Sequence, residues 1–181
     1  MFKINEEQLE VLRNKQGYIS DMDGVIYHGN CILPGVKEFV DWLYKEDKPF
    51  LFLTNSSERS PRELRQKLSR MGLDVDESHF YTSALATAKF LAEQAPGCSA
   101  YVIGAPGLVN ALYDVGITMN DVNPDYVVVG ETDSYNYNMI ISAIQPFILT
   151  MLLYYITIYG MQTTNSDGTV TVCAQGIDDV G

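Results

Sequence analysis

Positive charge runs out early in this 181-residue chain: all 12 lysines and arginines lie between Lys3 and Lys89, and none follows. Set against 23 acidic residues, they leave a formal net charge of −11. That balance excludes the basic face a nucleic-acid binder needs to displace phosphate counterions, and it weighs against adhesion to anionic membranes. Cysteine is scarce as well. Cys31, Cys98 and Cys173 are scattered, without CxxC spacing or a histidine placed as co-ligand. The set excludes a disulfide framework or zinc site and points to reduced thiols in a cytoplasmic protein. The N-terminal MFKINEEQLEVLRNKQG lacks the apolar centre of a signal peptide. Asn55-Ser56-Ser57 fits the glycosylation sequon, a chance match in an unsecreted chain. Charge of either sign is missing from Ser134 to Ser166, a stretch that contains the apolar run FILTMLLYYITIYGM at residues 147–161. That run is shorter than the roughly 20 residues a bilayer span needs. A buried helix or strand pair is expected there; membrane attachment through residues 139–161 is the alternative, and it must include Gln145 and Pro146.

What is present reads as globular. Apolar residues make up 46% of the chain, and its length suits one core, or one domain plus part of another. Apolar strands alternate with amphipathic helices. Strands are expected at Gly17–Asp21, Phe50–Thr54, Ala100–Gly104 and Asp125–Gly130, and a strand–helix step from His79 to Ala92. Pro34–Leu43 carries helical spacing with Pro34 in its first turn, and a short helix is expected near Leu108–Tyr113. Ser60, with Glu63 three residues on, caps a helix that reaches Arg70, and Gly72 follows its end. This order implies an α/β fold with a parallel sheet. Gln94-Ala-Pro-Gly97 is the expected domain boundary.

The chemistry is carried by acids at a strand end. Phosphate monoesters resist hydrolysis because the dianion repels nucleophiles. A carboxylate that forms a covalent phospho-enzyme splits that barrier in two, and a second carboxylic acid handles the leaving-group and water protons. A cation between the negative partners neutralises charge. Asp21-Met22-Asp23-Gly24 supplies such a pair: residues two apart at a strand's carboxyl end face the same side, Met22 faces away, and Gly24 permits the turn. An EF-hand is excluded, since Val25, Ile26 and Ile32 stand where its ligands and glycine belong. Leu51–Asn55 adds an apolar strand ending in a hydroxyl and an amide, and in a parallel sheet its end lies on the same edge as the acids. Gly104-Ala-Pro-Gly107 lacks the glycines and lysine of nucleotide-binding loops and reads as a strand–helix turn. His28 and His79 read as loop or structural residues, and the tyrosines between Tyr135 and Tyr159 as packing residues.

GYISDMDGVIYHGN, LFLTNSSERSPREL, HFYTSALATA and DVNPDYVVVGETDSYNY together resemble the haloacid dehalogenase superfamily over about residues 17–142, in its NagD-like, p-nitrophenylphosphatase-type branch with a large α/β cap. The resemblance implies a Rossmann-like core in residues 1–97 and a cap domain, incomplete or divergent, in 98–181. It implies Asp21 as nucleophile, Asp23 as acid/base, both at a magnesium site, and Thr54, Asn55 and Ser56 as phosphate-binding residues. Small phosphorylated metabolites such as nucleotide or sugar phosphates are the implied substrates, and homo-oligomerisation is left open. The family pattern continues after the cap with a phosphate-gripping lysine and an acidic Gly-Asp loop. No Lys or Arg follows Lys89, and Asp178-Asp179 is a coincidental match without a long apolar strand leading into it. Beyond Ile144 the resemblance ends, apart from a faint likeness to a cap loop at residues 164–168. A truncated or frameshifted product is the expectation, with feeble turnover or none. The rival reading is a non-catalytic remnant that binds phosphorylated ligands or a partner.

Overall fold

A computed structural model of the chain describes residues 5–145, 162–164 and 170–172. The apolar run at 147–161, Cys173, the loop at 165–168 and Asp178-Asp179 lie outside the described residues. The chain starts with α1 (Glu6–Arg13), capped by Asn5, and enters β1 (Tyr18–Asp21). A hairpin of β2 (Tyr27–His28) and β3 (Cys31–Ile32) leads to α2 (Val36–Lys45), β4 (Phe50–Thr54), α3 (Pro61–Arg70), β5 (Phe80–Thr82) and α4 (Ser83–Gln94). Then come β6 (Ser99–Ile103), α5 (Pro106–Asp114), β7 (Thr118–Met119), β8 (Tyr126–Val129) and a helix, α6, over residues 137–145. Strands β9 (Gln162–Thr164) and β10 (Val170–Val172) pair antiparallel.

Two parallel sheets organise the α/β fold, in the orders β1-β4-β5 and β7-β6-β8. The first packs around Met22, Ile26, Val40, Leu43, Phe52, Leu64, Leu68 and Phe80. In β4 the burial alternates, with Phe50, Phe52 and Thr54 turned inward. The Tyr18 ring meets Phe39 and Trp42 edge-on at 5.9 and 5.5 Å, which ties β1 to α2. The second core gathers Ala84, Ala88 and Leu91 of α4 with Ala100, Leu108, Ala111, Leu112 and Val128, so α4 packs with the second sheet. Among the described residues, no helix is long and apolar enough to cross a membrane.

Local sequence chemistry explains most element ends. Ser60 and Glu63 close the expected capping box: the Ser60 hydroxyl accepts from Glu63 N at 3.4 Å, and Ser60 N donates to the Glu63 carboxylate at 2.8 Å. Gly72 follows α3 at φ +82°, where a side chain would be strained. The start of α2 differs from expectation. Gly35 caps it in the left-handed region at φ +85°, so Pro34 stays outside the helix and Val36 opens it.

The Ser60 hydrogen bonds hold the Glu63 carboxyl below its ordinary range. A depressed carboxylate contributes stability above its unfolded pKa and loses it as pH falls through the folded value. We therefore expect Ser60→Ala to cost about 1 kcal/mol at neutral pH. The gap to wild type should narrow as pH falls below about 4.5, measured by urea unfolding across that range.

Candidate active site

Asp21, Thr54 and Thr82 end their parallel strands on one edge of the first sheet. The register pairs Asp21 with Leu53 and Thr54 with Thr82, so the acid stands beside the strand position that precedes Thr54. Met22 is fully buried while Asp21 and Asp23 are exposed, the alternation expected of the pair. Gly24 turns at φ +77°. The chain then folds back on itself: Ile26 N donates to Met22 O at 2.9 Å and Gly24 N to Tyr27 O at 2.8 Å. Met22 N donates to Asp21 Oδ1 at 2.8 Å and orients that carboxylate. The Thr54 hydroxyl is buried and accepts from Ser56 N at 3.2 Å, which leaves its own proton to donate. Thr82 instead caps α4, its hydroxyl accepting from Leu85 N at 3.2 Å.

A cavity of about 540 Å³ opens here, lined by Asp23, Tyr27, Thr54, Asn55, Ser56, Glu58, Arg59, Leu64, Lys67 and Glu131. Four of the five residues expected at the site therefore share one cavity. Asp21 is placed at the adjoining strand end, outside the lining. The sequence reading gave no role to Tyr27, Glu58, Arg59, Lys67 or Glu131. Burial, and then the neighbouring Asp23 carboxylate, push the Tyr27 phenol up to about 12. Lys67 Nζ sits 3.8 Å from the centre of the Tyr27 ring, and burial followed by the nearby Arg59 charge lowers its pKa. Arg59 is gripped by Glu58 at 3.0 Å. His28 is exposed in the hairpin, and His79 stacks on Phe50 with centroids 3.8 Å apart, a packing role.

The loop after β4 also holds the second sheet. Ser56 Oγ donates to Glu131 Oε2 at 2.7 Å, the Ser57 hydroxyl accepts from Glu131 N at 3.0 Å, and Gly107 N donates to Glu58 O at 3.2 Å. A Cβ on Gly107 would lie 2.6 Å from Glu58 O, and one on Gly130 would lie 2.8 Å from Ser57 Oγ. The strand–helix turn at Gly104–Gly107 is thus also a docking contact.

Among the described residues no three acidic, histidine or cysteine side chains gather as a metal cage. Asp21 and Asp23 fit a different kind of site. Magnesium binds through one or two carboxylates and completes its shell with water and substrate phosphate.

The fold and this strand-edge constellation define a haloacid dehalogenase-like hydrolase. The family model with that description matches residues 18–118, more than half the chain, and the chain belongs to that family. It is 46% identical over 121 residues to ribonucleotide monophosphatase NagD of Escherichia coli K12, covering 67% of this chain and 48% of that protein. The solved NagD structure superposes with a TM-score of 0.70 at 42% identity, over 75% of this chain and 53% of NagD. An acid sugar phosphatase of Staphylococcus saprophyticus is 38% identical over 133 residues, 73% of this chain and 51% of that one. A glycerol phosphate phosphatase from Mycobacterium tuberculosis, solved in complex with magnesium, superposes at TM-score 0.68 with 26% identity, over 73% and 40% of the two chains. The chain spans about half the length of the curated relatives it matches.

Ser57 is buried and accepts from the amide of Glu131, an exposed residue. Ser57→Ala should cost about 0.5–1.5 kcal/mol, the net range for one hydrogen bond, and urea unfolding with an unchanged m-value would show it.

Proposed function

We propose that this chain carries the nucleophile-bearing part of a magnesium-dependent phosphomonoester hydrolase acting through an aspartyl-phosphate. The observation that carries this is the parallel register of β1 on β4, which sets Asp21 beside Thr54 at one strand edge. We take residues 1–97 as the core portion and 98–181 as the cap. In this reading an Asp21 carboxylate oxygen attacks phosphorus and the ester P–O bond breaks. Asp23 gives the departing oxygen its proton. Water then loses a proton to Asp23 and attacks the same phosphorus, releasing phosphate and restoring Asp21. The Thr54 hydroxyl and the Asn55 amide donate to the phosphoryl oxygens, and Ser56 joins them by releasing its hydroxyl from Glu131. Asp21 and Asp23 would hold magnesium, which supplies charge neutralisation between carboxylate and phosphoryl group.

The relatives' names support small phosphorylated metabolites, nucleotide or sugar phosphates, as substrates. The thiols support a reducing compartment such as the cytoplasm: Cys31 is exposed and Cys98 buried, both free. Residues 90–181 carry no Lys or Arg, so this stretch offers the phosphoryl charge no fixed cation. One missing contact of that kind lowers turnover by about 10²–10³. The same scarcity favours, as a second reading, a chain that binds phosphorylated ligands without turning them over.

The test is p-nitrophenyl phosphate hydrolysis with magnesium by this chain, its Asp21→Asn variant and E. coli NagD. Weak turnover, about 10²-fold or more below NagD and absent from Asp21→Asn, is expected. Turnover that persists in Asp21→Asn would remove the nucleophile from the scheme. Phosphate binding without turnover would select the second reading.

A further inference from the structure

The cavity at the strand edge is larger than a phosphoryl group requires, and its volume of about 540 Å³ falls within the range of whole small-ligand sites. Thr54, Asn55 and Ser56 form one part of its wall. Arg59, Leu64 and Lys67 form another, contributed by α3 and the residues leading into it. Leu64 and Lys67 stand three apart on α3 and so share a face. The two cations on this wall are not equivalent. Arg59 is engaged by both oxygens of Glu58, at 3.0 and 3.3 Å. Lys67 makes no ion pair among the described residues. Its ammonium rests instead on the Tyr27 ring at 3.8 Å and is half-buried.

An ammonium held there has lost part of its hydration and gained only a ring face, which leaves its donors open to an anion. Its position says where that anion belongs. Tyr27, beneath it, is bridged through its backbone to Asp23 and lines the cavity with it, and Asp23 is the residue that protonates the departing oxygen in the proposed mechanism. Lys67 therefore stands on the side of the ester's alcohol portion. The charge balance says what kind of anion fits. One ammonium with Asp23 and Glu58 nearby neutralises a single negative charge, whereas a second phosphate dianion would leave excess negative charge beside both carboxylates.

We infer that Lys67, seated on Tyr27, is a specificity-determining residue that recognises a carboxylate on the alcohol portion of the phosphate monoester. The inference rests on the phosphatase reading of this site. Its signature is a preference between esters that differ only in that carboxylate.

The experiment is calorimetric titration of the chain, with magnesium, by inorganic phosphate, glycerol 3-phosphate and 3-phosphoglycerate. Wild type should bind 3-phosphoglycerate about tenfold more tightly than glycerol 3-phosphate, as one charge-assisted contact provides. Lys67→Gln should abolish that preference while leaving inorganic phosphate affinity within about twofold, and that retained affinity also reports an intact fold. Lys67→Arg should keep the preference. Equal binding of the two esters by a wild-type chain that binds inorganic phosphate, or a preference that survives Lys67→Gln, overturns the inference alone. A loss of affinity shared by all three probes in Lys67→Gln assigns Lys67 to the phosphoryl group and overturns it too. Failure of wild type to bind inorganic phosphate overturns the phosphatase reading and the inference with it, so the two failures are distinguishable.

Discussion

Four residues of β1 lie in parallel register against β4, from Tyr18 opposite Phe50 to Asp21 opposite Leu53, and the candidate site depends on that alignment. Parallel strands run out at the same edge, so an acid ending one and a hydroxyl ending the next emerge side by side. A slip of one residue would turn Asp21 inward and Met22 outward, because strand faces alternate. Packing resists the slip from both strands. Phe50, Phe52 and Thr54 are the inward set of β4, and the Tyr18 ring is caught between Phe39 and Trp42 of α2. The geometry proposed for phosphoryl transfer is thus maintained by apolar contacts remote from the carboxylates.

The loop after β4 serves two structures at once. Asn55 and Ser56 face the cavity, yet Ser56, Ser57 and Glu58 also bond to Glu131 and Gly107 of the second sheet's elements. A displacement of α5 or of the end of β8 would therefore be felt by the residues placed to receive phosphate. Gly107 makes this closeness sterically possible, since any larger residue would meet the Glu58 backbone. The site and the junction between the sheets are mechanically one object.

Much of this was legible in the sequence because it is locally determined. The capping box at Ser60 and Glu63, the apolar strand Phe50–Thr54 and the turn at Gly24 each follow from neighbouring residues. Pro34 shows the limit even of local reading. Its fixed φ suits a first turn, but Gly35 in the left-handed region moved the helix start beyond it. What remained hidden depends on distant contacts. Gly107 read as a turn glycine, and its approach to Glu58 becomes visible only once α5 docks. Lys67 had a signal, its spacing from Leu64 on the helix, but nothing local announces the Tyr27 ring beneath it. Glu131 lies far along the chain from Ser56, and pattern reading gives no reason to join them.

Charge sets the remaining constraint. Asp23, Glu58 and Glu131 line the cavity and Asp21 adjoins it, against Arg59 and Lys67. Glu58 is committed to Arg59, and Glu131 accepts the Ser56 hydroxyl. An incoming phosphate dianion thus meets Asp21 and Asp23, and Lys67 is the cation of the cavity lining that makes no ion pair among the described residues. Neutral donors such as Thr54 and Asn55 orient a phosphoryl group but do not cancel the repulsion between like charges. In the proposed function, phosphate affinity is therefore coupled to the cation that Asp21 and Asp23 share, and one lysine is free to select the alcohol portion instead of gripping the phosphoryl group.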